Sequence, residues 1–109
     1  MAHIIQTIAK RSLFVLARNQ GKFIRGKGFN LQFLEKNEKE NIIFVGYTAT
    51  KRLGNAVKRN KAKRIMRELA SKVITKYGKI NSYYVLIAKN EIFNTPFSVL
   101  EIELKKLIS

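Results

Sequence analysis

Eight Lys or Arg stand among the seventeen residues from Lys51 to Arg67, and no acid interrupts them. Ammonium and guanidinium groups at this density hold phosphates; they do not cut them. A polyanion relieves the self-repulsion of such a surface, so a nucleic acid is the first partner to consider. The groups that would break a phosphodiester are scarce. Hydrolysis by a protein needs metal-binding carboxylates, or an acid/base pair in a pocket. This chain has no Asp, seven Glu and one His. Glu35, Glu38 and Glu40 fall in a polar stretch, while Glu101 and Glu103 are two apart on a helix and diverge. Glu68 stands four residues from both Arg64 and Lys72, the spacing of helix ion pairs. His3 lies near a terminus expected to fray. No Gly-rich phosphate loop and no Ser/His/Asp set is visible, and no catalytic residue is assigned.

Behind the cluster stand 109 residues, 46% of them apolar, enough for one compact core spanning 1–109 as a single domain. Net charge is +15 with a pI near 10.4. The excess sits in two blocks: six cations and no acid over residues 1–34, and the eight between 51 and 67. With no cysteine, disulfides and thiolate metal sites are excluded. No apolar run approaches the ~20 residues of a membrane span. The apolar start is broken by Lys10 and Arg11 without a small-residue cleavage site, so it reads as mature, cytoplasmic protein.

The elements follow from period and punctuation. Ser12 to Asn19 predicts a short helix stopped by Gly21. A basic, Gly-rich segment runs from Phe23 to Gly28. Phe29, Leu31 and Phe33 then alternate with Asn30 and Gln32, predicting a half-buried strand to Leu34. Glu35 to Asn41 reads as a polar loop, and Ile42 to Thr50 as a second strand. A long helix is predicted from Ala56 to Tyr77, with Asn55 as N-cap and Gly78 as its C′ stop. Its core stripe is Ala62, Ile65, Met66, Leu69, Val73 and Tyr77. Asn60, Arg64 and Arg67 fall opposite that stripe with Lys61 on one flank, and Arg59 and Lys63 lie at the other edge. Ser82 to Ala88 is a continuous apolar run of central-strand type, in which at least one of Tyr83 and Tyr84 belongs to the core. Thr95 caps a last helix opened by Pro96, with Phe97, Leu100, Leu104 and Leu107 inward. The order is helix, strand, strand, helix, strand, helix. It predicts a single α/β sandwich-like domain with a mixed central sheet covered by helices.

The segment TATKRLGNAVKRNKAKRIMRE resembles the signature of the bacterial ribonuclease P protein subunit. The matching residues are Lys51, Arg52, Leu53, Gly54, Asn55, Ala56, Val57, Arg59, Asn60, Lys63, Arg64 and Arg67. Two departures stand out. Lys61 replaces the second Arg of the family's Arg-Asn-Arg, keeping the charge and losing the planar fork. Arg18 stands where the family often carries a second aromatic, one turn after Phe14. The resemblance extends in order over essentially the whole chain.

It implies a left-handed strand–helix–strand crossover, rare among crossovers, in a fold like the second domain of ribosomal protein S5. It also implies that the chain binds a catalytic RNA and helps remove the 5′ leader of precursor tRNA, with chemistry on the RNA and Mg²⁺ bound there. The basic helix would face the catalytic RNA through Lys51, Arg52, Asn55, Lys58, Arg59, Asn60, Lys61, Lys63, Arg64 and Arg67. A cleft between the first helix and the sheet would hold the leader. Phe14 and Phe23 are stacking candidates there, beside Arg18, Thr48 and Thr50; Phe14 has an alternative role in the core, Phe23 in core or turn, and Thr48 and Thr50 as plain surface strand residues. The free protein is expected to be a monomer. Two other classes share the basic charge: an RNA-binding module such as a ribosomal protein, and a membrane-surface or DNA-compacting protein. The signature spacing separates the first, and a helical stripe sized for a core argues against membrane insertion.

Overall fold

The apolar run Ser82–Ala88 lies at the centre of the sheet, where a strand covered on both faces must be apolar on both. The computed structural model describes residues 3–35 and 40–109. In chain order the strands are β1 (Ile4–Thr7), β2 (Lys22–Ile24), β3 (Phe29–Glu35), β4 (Ile42–Thr48) and β5 (Ser82–Ala88). The helices are α1 (Arg11–Gln20), α2 (Ala56–Leu69), α3 (Thr75–Tyr77) and α4 (Phe97–Ile108). One five-stranded sheet has the order β1-β4-β5-β3-β2. β1, β4 and β5 run parallel, while β3 is antiparallel to both β5 and β2. The mixed sheet agrees with the sequence. Residues 36–39 of the expected polar loop lie outside the described residues.

Strand alternation sorts the side chains onto two unequal faces. On one face Phe29, Leu31, Ile43, Val45, Tyr84 and Leu86 meet Met66, Leu69, Ile74, Leu100 and Leu104 in the main core. On the other, Phe44, Tyr83 and Val85 are covered by Ile8 and by Ala17 of α1. Tyr83 and Tyr84 are both buried, so both serve packing. Gln32, expected on the polar side of its strand, is buried because it stands on the α1 face.

Four details depart from expectation. Ile4–Thr7 is a strand, and the His3 N–H donates to the Thr75 carbonyl at 2.6 Å, so this end is tied down. Between α2 and α3, residues Ala70–Ile74 form one π-helical turn. The wider turn rotates the residues after it about the helix axis, so Ile74 takes the buried position and Tyr77 is exposed instead of completing the stripe. Gly78 stops the helix without a left-handed φ: a Cβ there would lie 2.6 Å from the Ile74 carbonyl oxygen and 3.0 Å from Ile43 Cδ1. Thr95 does not cap α4; its hydroxyl donates to the Glu91 carbonyl, and Pro96 holds the N-cap position.

Candidate nucleic-acid interface

The basic helix starts where the sequence places it. Gly54 adopts φ 140°, a region open to glycine. The Asn55 Oδ1 accepts the Lys58 backbone N–H at 3.0 Å, satisfying one of the orphan donors of the first turn. From this cap the helical pitch distributes the cations around α2. Arg59, Lys63 and Arg67, four apart, form one row, at whose end the Arg67 guanidinium sits 5.7 Å over the Tyr47 ring of β4. Asn60 and Arg64 are exposed on the outer surface. Lys58 and Lys61 turn the other way, toward Phe93. Glu68 pairs with Lys72 at 3.8 Å, as its spacing predicts.

A cleft of about 460 Å³ opens between α1 and the sheet. Arg11, Phe14 and Arg18 line one wall, Gln32, Val85 and Ile87 the floor, and Tyr47, Thr48 and Lys63 the far rim. Two features make room for it. β1 pairs with β4 only as far as Val45, so Gly46–Thr48 have no strand neighbour on that edge and the cleft reaches round to Lys63 of α2. Gly46 also lets Phe14 lie against the sheet: a Cβ would stand 2.6 Å from Phe14 Cε1. Phe14 is half-buried, so it packs on β4 and also offers the cleft an aromatic surface. Burial pushes the Tyr47 phenol above its ordinary pKa of 10.0, against the opposing effect of Arg67, so at neutral pH it is an uncharged donor. Among the described residues the lining holds three cations and no acid. Such a cleft fits a single strand: phosphates on the cations, a base on Phe14.

Of the residues expected at the leader, Phe14, Arg18 and Thr48 share this cleft and Thr50 does not. β4 ends at Thr48, and Thr50 is the N-cap of the 3-10 turn Lys51–Leu53, beside Lys89 and Asn90. Phe23 stands outside the lining on edge strand β2. It pairs with Gln32 and so projects from the same face, 50% exposed, one strand beyond the floor. The structure adds Arg11, Gln32, Tyr47 and Lys63 to this cleft. The spacing of Lys63 put it at the edge of the stripe nearest Arg59, but only strand order shows what that edge faces.

The two basic blocks meet at the end of the sheet. The Glu103 carboxylate accepts the Lys27 N–H at 2.7 Å and the Gly28 N–H at 3.2 Å, and the Lys89 ammonium donates to the Gly26 carbonyl at 3.0 Å. These contacts hold the basic Arg25–Lys27 segment near Lys89, which shares a concavity with Arg52 of the 3-10 turn after β4.

The profile of the family described as ribonuclease P matches residues 5–109. The chain belongs to the ribonuclease P protein family. The ribonuclease P protein component of Caulobacter vibrioides is 37% identical over 84 residues, 77% of this chain. The chain spans 56% of the length of that relative. The Brucella suis ribonuclease P protein component is 33% identical, with 96% of this chain and 79% of the relative aligned. Among solved structures, the ribonuclease P protein of Thermotoga maritima superposes with a TM-score of 0.79 at 21% identity, covering 94% of each chain. That of Staphylococcus aureus gives 0.75 at 24% identity, covering 92% of this chain and 89% of its own. These likenesses establish the α/β fold as that of ribonuclease P proteins. Among the described residues no helix is long and apolar enough to cross a membrane.

Proposed function

We propose that this ribonuclease P family member acts as the protein subunit of a ribonucleoprotein endoribonuclease in the cytoplasm. In this reading it binds a catalytic RNA and the 5′ leader of precursor tRNA, and cleavage leaves the mature 5′ end. The observation that carries it is the division of α2. Lys63 lines a cleft with an aromatic wall, whereas Arg64 and Arg67 are exposed outside that lining. A single helix can thus serve two polyanions at once, the leader on one side and the folded RNA on the other.

The protein's own part is grip and orientation. Each phosphate neutralised adds about 0.9 to the magnitude of the salt slope on duplex-like RNA and about 0.7 on a single strand. Phe14 supplies stacking, worth about 1–3 kcal/mol per base. Thr48 and Tyr47 supply hydroxyl donors. The leader is present in precursor and absent from product, so these contacts favour binding of substrate over product. Mg²⁺ accompanies the RNA in this scheme. Among the described residues no group of three or more His, Cys, Asp or Glu comes together.

The test is reconstitution with a bacterial ribonuclease P RNA at low Mg²⁺, following leader removal. The protein is expected to bind that RNA and raise the rate. Failure to do either, together with specific binding of ribosomal RNA, would make it an RNA-binding module of another assembly. Phe14→Ala should weaken binding of precursor more than of mature tRNA; equal weakening would confine Phe14 to packing.

A further inference from the structure

A second groove, of about 550 Å³, lies on the opposite side of α2 from the cleft. Lys61 and Lys63 are two residues apart, hence about 200° around the helix, and they serve different concavities. Among the described residues the lining is Arg52, Leu53, Lys58, Lys61, Asn90, Phe93 and Asn94: three cations, two amides, an aromatic ring and no acid. The nearby Glu91 lines the adjoining concavity and is 3.8 Å from the Lys89 ammonium. Both Lys58 and Lys61 place their ammonium groups about the Phe93 ring, at 5.9 and 6.0 Å from its centroid. The ring is only half-buried, yet its backbone is firmly held. Ile92 of the same 3-10 turn is 1% exposed, its N–H donates to Lys89, and the Asn94 N–H donates to Glu91.

We propose that this groove holds one unpaired nucleotide of the RNA partner, with its base on the Phe93 ring and its phosphate on Arg52, Lys58 and Lys61. The inference rests on the RNA-binding reading of the chain and adds to it a site that α2 alone cannot form. Lysines near 6 Å lie at the outer limit of cation–π attraction. They can swing to a phosphate while the base takes the ring surface they leave. Asn90 and Asn94 each carry a donor and an acceptor that can meet a base edge. The groove volume lies within the ~300–1,000 Å³ of small-ligand sites. The turn after β5 thereby becomes part of the interface, with Phe93 its anchoring residue.

The test compares Phe93→Leu, which keeps apolar packing, with Phe93→Tyr, which keeps a ring. Binding is measured to a bacterial ribonuclease P RNA and to a fully paired RNA duplex across a salt series. Phe93→Leu should weaken binding to the folded RNA about tenfold, with an unchanged salt slope since no charge is removed. Phe93→Tyr should bind as wild type, and the duplex should not distinguish the three proteins. Wild-type affinity in Phe93→Leu, or equal loss on both RNAs, would overturn the proposal while leaving the subunit reading intact. Failure of the wild-type protein to bind the folded RNA would remove both. A readout without substitution is irradiation of wild-type protein with iodouridine-substituted RNA. Crosslinks should appear at Phe93, and crosslinks confined to the Phe14 cleft would refute the second site.

Discussion

The sheet has one thickly covered face and one thinly covered face, and they divide the work. Under α2 and α4 the core is continuous, with Met66, Leu69, Ile74 and Leu104 at 0% exposure. Under α1 the cover is a single ten-residue helix without a side-chain cap, burying only Ala17 fully. Part of that face stays open as the cleft. One side stores stability through close packing; the other gives up burial to leave aromatic, hydroxyl and cationic groups accessible. The cleft is thus carved from missing cover, with no need of a special loop.

Substitutions can break or sharpen that contrast. Met66→Ala, on the thick face, should cost about 2–5 kcal/mol in urea unfolding; a cost below about 1 kcal/mol would mean that face is looser than its burial implies. Gly46→Ala drives a methyl into the Phe14 ring on the thin face. It should cost about 1–3 kcal/mol and weaken single-strand binding, because Phe14 must move. Unaltered leader affinity at reduced stability would detach the cleft from Phe14. Asn55→Ala removes the α2 cap and should cost about 1 kcal/mol, read as a lower unfolding midpoint. Smallest in stability is Arg64→Ala combined with Arg67→Ala, expected to stay within about 1 kcal/mol of wild type since only the Tyr47 contact is lost. Yet the same pair should reduce the salt slope of RNA binding by about 1.8, two phosphate contacts at ~0.9 each. An unchanged slope would move the interface off this side of α2.

What could be read from the residues was whatever local chemistry enforces. The Gly54–Asn55 start of α2, the central strand Ser82–Ala88 and the inward positions Met66 and Leu69 are visible because cap, period and composition act within a few residues. β1 and β2 were not, since strands of four and three residues are too short to show a period and exist by pairing with neighbours. The exposure of Tyr77 was hidden for a similar reason. A π turn depends on what the helix must pack against, and Gly78 fits Ile43 only in the assembled core. Glu103 showed in the sequence only as one of two diverging acids on the last helix, whereas the fold brings it to two backbone donors 75 and 76 residues away.

The amino-acid sequence by itself determined a dense cationic helix and its family, because charge and cap chemistry are local properties. Tertiary structure alone decided which cations share a cleft, which aromatic rings stay accessible, and that Thr48 joins the site while Thr50 does not. Those are outcomes of strand order and of where a short β1 ends, and they arise from contacts between segments far apart in the chain.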